Sequence, residues 1–307
     1  MRNDFVRQML LEMKRDRSIY FLTADLGFKA LEPIEKAFPD RFINVGISEQ
    51  HLIGMAAGLA LEGKKVIAYS IAYFSAMRPY EQIRDDVCYH NLDVKIVGAG
   101  GGYNYATHGV THHTVEDLAI MRVLPHMKVL NPGYSWEATE ATRAMVRTKG
   151  PFYIRLGKSP GIHFEKPSFT FSVGKGFVTK PAWDVVIVST GNVLDIAMKT
   201  AELLEGHSKR SVAVVSIPSI KPLDEALIKK YARRAKGVFT IEEHSTIGGL
   251  GSAVKEVLFD AHIRPTFHAF GLPTDEFLKD VGDRDYMLNV VGLTPEKISA
   301  RIRALLI

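Results

Sequence analysis

Short apolar runs recur along the chain, and most are followed by a stretch whose apolar positions repeat every three to four residues. Runs of the first kind read as strands buried on both faces, and stretches of the second kind as amphipathic helices. In the first half the pattern predicts a helix over 3–14 and strands over 18–24, 42–47, 65–73, 94–97, 127–130 and 152–156. Further helices are expected from Glu49 onward and over 78–89, 115–122 and 135–147. Residues 157–182 break the pattern with Gly157, Pro160, Gly161, Pro167, Gly174, Gly176 and Pro181, which mark a connecting segment. Beyond it the alternation resumes, with strands over 185–189, 212–217, 238–242 and 266–270. Helices are expected over 193–204, 224–235, 249–259 and 295–306. Apolar strands alternating with helices build parallel βαβ units. The expected fold class is therefore α/β, with two doubly wound domains of mostly parallel sheet: domain 1–165, linker 166–182 and domain 183–307.

Composition narrows the function classes. The 307 residues are 46% hydrophobic and 24% charged, an ordinary globular balance for two domains. The net charge of +5 is small and its basic residues are scattered. The densest group, Lys229-Lys230 and Arg233-Arg234, fits a solvated helix face, so no nucleic-acid partner is expected. Cys88 is the only cysteine, which excludes an intrachain disulfide and favours a reducing, cytoplasmic location. Residues 1–17 include Asp4, Glu12 and Asp16 and no long apolar core, so no secretory or transit signal is expected. The longest apolar run, 66–77, is interrupted by Ser70 and Ser75 and is shorter than the roughly 20 residues of a membrane helix, so no membrane partner is expected.

Candidate chemistry concentrates in the first half. In the stretch 42–58 an apolar run leads through Ser48-Glu49 into small residues at helical spacing. That places a carboxylate where a strand turns into a helix, the end of an α/β sheet at which ligands bind. Ser48 and Glu49 would serve equally as an N-cap and a first-turn acid. A carboxylate among apolar groups would instead suit proton handling. Tyr73 and Phe74 close the third strand as core residues or as a platform for a flat ring. His108, His112 and His113 fall within six positions, but Gly109 and the β-branched neighbours oppose a helix that would align them on a metal. They read as loop histidines or as donors lining a cleft, active near neutral pH. The glycines at 98–102 and 249–251 miss the spacing of a dinucleotide loop, because Tyr103 and Val254 stand where a last glycine is needed.

Val45-Gly46-Ile47-Ser48-Glu49-Gln50, followed by Gly54-Met55-Ala56-Ala57-Gly58, resembles the pyrimidine-binding domain of transketolases, deoxyxylulose-phosphate synthases and 2-oxo-acid dehydrogenase beta subunits. The resemblance implies thiamine diphosphate as cofactor, with Glu49 bonding its aminopyrimidine ring and Phe74, or Tyr73 if the register slips, stacking on it. Gly109, Thr111 and His112 match the family's Gly-x-Thr-His-Gln segment, which implies that His112 meets the substrate carbonyl or hydroxyl. His108 stands where sugar-transferring members usually carry Asp, and His113 replaces the usual Gln. A phosphate-binding His usual near Gly100 is absent, and Lys158 stands where Arg is usual, a point charge without the bidentate fork. Substrate contacts are thus expected from His108, His112, His113 and Lys158. Glu242-Glu243-His244, Gly271-Leu272-Pro273 and Gly292-Leu293-Thr294-Pro295 resemble the transketolase C-terminal domain, with Glu242 and Glu243 expected as structural.

Complete transketolases also carry a Gly-Asp-Gly motif and a distant Asn that hold magnesium and the diphosphate; here Gly282-Asp283 is followed by Arg284. No metal ligand is therefore expected in this chain. The resemblance implies one subunit of a split enzyme, with Mg2+ held mainly by an N-terminal diphosphate-binding partner and homodimer contacts within an α2β2 assembly. The expected activity is transfer of a two-carbon ketol unit from a ketose to an aldose, on small sugar substrates. The alternative is a beta-type subunit of a 2-oxo-acid decarboxylating enzyme or a deoxyxylulose-phosphate-synthase-like enzyme.

Overall fold

The computed structural model describes residues 1–27, 29–158, 169–207 and 210–306. Pro160, Gly161 and Pro167, and the expected boundary at 165–166, lie outside them. Six strands come from the first half: β1 (Ile19–Thr23), β2 (Phe42–Asn44), β3 (Lys65–Ile71), β4 (Val94–Ala99), β5 (Lys128–Leu130) and β6 (Phe152–Leu156). Six follow: β7 (Phe177–Lys180), β8 (Val185–Ser189), β9 (Val212–Ser216), β10 (Ser219–Lys221), β11 (Gly237–Ser245) and β12 (Thr266–Leu272). They form two sheets, in the orders β10-β5-β6-β4-β3-β1-β2 and β12-β11-β8-β9-β7. Every pairing is parallel except β10 with β5 and β7 with β9. The fold is α/β with two mostly parallel sheets, and helices cover both faces. The Arg2–Arg15 and Ser135–Arg147 helices bury Phe5, Met9, Ala138 and Met145 on one face of the first sheet. The Glu49–Leu61 helix buries Leu52, Ile53 and Ala56 on the other.

One apolar cluster runs from Leu52 and Ile83 through Met121 and Ile220 to Val186, Val215 and Val254, so the two sheets share a core. The short strand β10 adds to the clamp by leaving the second half of the chain to pair with β5. No described helix is long and apolar enough to cross a membrane.

Three local expectations are corrected. The strand expected over 42–47 is only Phe42–Asn44, and it is half-exposed rather than buried. It pairs with β1 alone at the sheet edge, the chain turns at Gly46 (φ +74°), and Ile47 is 78% exposed. Ile47 therefore does not enclose Glu49. The strand expected to 73 stops at Ile71, and Ala72–Ala76 coil into a short helix that carries Tyr73 and Phe74. The stretch expected as connecting segment contains β7, an edge strand of the second sheet.

Candidate active site

Glu49 opens the Glu49–Leu61 helix just after the turn from β2, with Ser48 as an N-cap whose side chain makes no cap bond. Its carboxylate is buried, with 1% of the residue exposed. Arg78 Nε lies 3.3 Å from Glu49 Oε2, but the geometry is not that of a hydrogen bond, and Oε2 has no hydrogen-bond partner. A buried carboxylate oxygen left this way is costly, and it marks a place where a donor from outside the chain fits.

The helix at the end of β3 also places Phe74, half-buried, four residues before Arg78. The Phe74 ring meets His112 edge-on at 5.1 Å, and His112 in turn lies 5.0 Å from His108 and 6.2 Å from Tyr105. Tyr105 meets His108 at 5.7 Å and carries Lys158 Nζ 4.7 Å over its ring. Phe74, His112, His108, Tyr105 and Lys158 thus form one continuous surface. Burial, then the neighbouring His108 and His113 imidazoles, lower the His112 pKa, which keeps its ring neutral at physiological pH. The Thr111 hydroxyl lies 3.0 Å from His112 Nδ1 and fixes the ring.

Tyr73 and His113 are placed differently. His113 is buried, its Nε2 3.3 Å from the Ala106 carbonyl and its ring 4.8 Å from Tyr103. Burial lowers its pKa, partly offset by that carbonyl. Tyr73 meets Phe74 edge-on at 5.5 Å, and both Tyr73 and His113 line a cavity of about 580 Å³ against the loop Pro273–Leu278. His112 packs against Phe74, His108 and Tyr105, whereas the ring partner of His113 is Tyr103.

The loop that carries these histidines is pinned from behind. Gly102 pairs with Thr114, and Tyr103 N donates to Glu243 Oε1 at 2.8 Å. Gly102 has φ +63°, and a Cβ there would strike the Glu243 carboxylate. A Cβ on Gly101 would fall on the Arg155 guanidinium. The glycine cluster thus serves close packing around buried charges. Glu243 also receives Arg284 Nη2 at 2.7 Å, and Glu242 accepts from Leu250 N and Gly251 N, each at 2.7 Å. Both carboxylates are engaged structurally. Among the described residues no group of three His, Cys, Asp or Glu is placed to hold a metal.

Sequence reasoning passed over Arg78 and Tyr105. An exposed Arg between Met77 and Pro79 carries no local signal. The Tyr105 ring is placed by packing against Gly100, where a Cβ would collide with it.

The buried Glu49 oxygen without a donor thus marks one place where a group from outside the chain could bond, and the Phe74 surface another. Residues 1–161 match the family described as transketolase, pyrimidine binding domain, and residues 174–298 that described as transketolase, C-terminal domain. A putative transketolase C-terminal section of Methanocaldococcus jannaschii is 37% identical over 299 residues, covering 96% of this chain and 93% of that protein. A 6-deoxy-6-sulfo-D-fructose transketolase subunit of a Clostridium species is 33% identical, covering 97% of this chain and 92% of its own. A solved structure described as a split gene transketolase, inactive beta4 tetramer, superposes with a TM-score of 0.89 at 36% identity, covering 99% of this chain and 97% of its own.

Proposed function

The chain belongs to the transketolase family, and from that premise we propose that Glu49 and Phe74 hold the pyrimidine end of thiamine diphosphate within an assembly completed by a second polypeptide. The partner would supply the diphosphate clamp and Mg2+; among the described residues no group of three His, Cys, Asp or Glu is placed to hold a metal. The relative described as an inactive tetramer of beta chains is consistent with that division. When bound, thiamine diphosphate supplies the nucleophilic carbon and electron sink for breaking the bond beside a ketose carbonyl.

This chain's residues do the rest. Glu49 hydrogen-bonds the pyrimidine ring nitrogen through the carboxylate oxygen that otherwise lacks a donor. Phe74 presents a ring for stacking. Neutral His112 moves a proton at the substrate hydroxyl, with His108 5.0 Å away to assist. Lys158, at the outer end of the surface, offers a cation to an anionic sugar tail. The Clostridium relative is named for a sulfonated sugar, which supports a substrate with such a tail. The activity proposed is transfer of a two-carbon ketol unit from a ketose to an aldose, by an α2β2 enzyme of the cytoplasm.

The observation that carries this reading is the buried Glu49 oxygen without a donor at a strand-to-helix turn. In the complex purified with its partner, Glu49→Ala should lose most ketol transfer even at saturating thiamine diphosphate. Near-normal turnover would refute the assignment.

A further inference from the structure

We propose that Tyr105 is a positioning residue that sets the preference for an anionic sugar tail: its ring holds the Lys158 ammonium in place before the substrate arrives. The inference deepens the tail site assigned to Lys158 above and rests on that reading. Three observations carry it. Lys158 Nζ sits 4.7 Å over the centre of the Tyr105 ring. The Lys158 backbone N donates to Asn104 Oδ1 at 3.0 Å. The Asn104-Tyr105 pair therefore holds Lys158 both at its backbone and at its charged head. The ring itself has a fixed seat: it lies over Gly100, where a Cβ would collide with it, and it meets His108 edge-on at 5.7 Å.

The holder is tied down in turn. Asn104 Oδ1 also accepts from Asn192 Nδ2 at 3.2 Å, and the Asn104 amide bonds the Gly101 carbonyl. The pair is thus anchored to the glycine cluster and to the second half of the chain. Arg155 and Arg284, behind the same loop, are committed to the carbonyls of Thr114 and Glu243 and to the Glu243 carboxylate.

A ring face suits this task better than an acid would. An exposed lysine samples many rotamers, and an anion that must order it loses part of its own binding. A carboxylate would order the ammonium but cancel its charge. An aromatic face attracts the ammonium and leaves its charge available. Lys158 is exposed, and its head meets a ring face. The position of the charge is set in advance while the charge itself stays open to a phosphate or sulfonate.

The test uses the complex of this chain with its partner, with fructose 6-phosphate against fructose as ketol donor. Tyr105 also lies 6.2 Å from the His112 ring, so a change here alters rates on both donors; the ratio of their kcat/KM values isolates the tail. Tyr105→Leu should lower the preference for the phosphorylated donor about two- to fivefold, mainly through KM, the scale of an exposed cation–π contact. Tyr105→Phe keeps the ring and should keep the wild-type preference. Tyr105→Met serves in place of Tyr105→Leu should the latter fail to assemble. In the Lys158→Met background, Tyr105→Leu should cause no further fall, because the ring has no cation left to hold. Unchanged preference in Tyr105→Leu, equal loss in Tyr105→Phe, or a further fall in the double variant overturns the proposal. Lys158→Met alone separates the two claims. If it leaves the preference unchanged, the tail site itself fails. If it lowers the preference while Tyr105→Leu matches wild type, only the role of Tyr105 fails.

Discussion

Replacing Arg155 with Met should cost this chain about 4 kcal/mol of stability, within the range for breaking a buried ion pair. The Arg155 side chain is 5% exposed and lies between the two sheets. Its Nη2 donates to the Glu243 carbonyl at 2.8 Å and to the Thr114 carbonyl at 3.1 Å, and its Nε lies 3.5 Å from Asp117 Oδ2. Asp117 is fully buried; Oδ2 accepts from the Tyr153 hydroxyl at 2.6 Å, and Oδ1 has no hydrogen-bond partner. Met preserves the apolar stem but strands that carboxylate, and removing one partner of such a pair costs roughly 3–5 kcal/mol. Two carbonyls also lose their donor, which keeps the loss from falling to the lower end. Urea unfolding followed by circular dichroism measures it through the midpoint and slope. The second variant, Arg155→Met with Asp117→Asn, removes the stranded charge and should recover about half of the loss. A single-variant loss below about 1 kcal/mol, or no recovery in the pair, would refute the view that this contact bears on the junction between the sheets.

Glu137 gives a pH prediction. Burial pushes its carboxyl up to about 7, against the hydrogen bonds it accepts from Gly133 N and Ser216 Oγ. A folded pKa above the unfolded one means the folded state binds the proton more tightly, so its stabilising contribution is full below about 4.3 and is lost as pH rises through about 7. Wild-type stability should therefore fall by roughly 3 kcal/mol over that window relative to Glu137→Gln, and parallel pH profiles would contradict this. Lys158→Met should raise KM about tenfold for sugars with a phosphate or sulfonate tail and leave neutral sugars nearly unchanged, as expected for one lost charge-assisted contact. Equal effects on both classes in steady-state assays would remove Lys158 from the tail site.

Much of the fold was legible because strong periodicity leaves little choice. The Ser135–Arg147 helix and the strands Phe152–Leu156 and Val185–Ser189 fall where the pattern puts them. Where the pattern is short, tertiary context decides: 42–47 reads as a buried strand yet becomes a half-exposed edge, because it has a neighbour on one side only. β7 and β10 are invisible locally, since each exists by pairing antiparallel with a strand distant in sequence or in the other half of the chain. In the site, Glu49, Phe74 and His112 could be singled out one by one. Their neighbours could not. Tyr105 is placed by the absent side chain of Gly100, and Arg78 by a turn that ends β3 two residues early. Adjacent residues take different partners: His112 meets Phe74 and His113 meets Tyr103, while Glu243 reaches the histidine loop and Glu242 caps a helix.

The most direct measurement is a structure of the complex of this chain and its partner with thiamine diphosphate and Mg2+ bound. A Glu49 carboxylate oxygen should lie within hydrogen-bond distance, roughly 2.6–3.2 Å, of a pyrimidine ring nitrogen, with the ring against Phe74. A pyrimidine ring held elsewhere, with Glu49 still facing only Arg78, would contradict it.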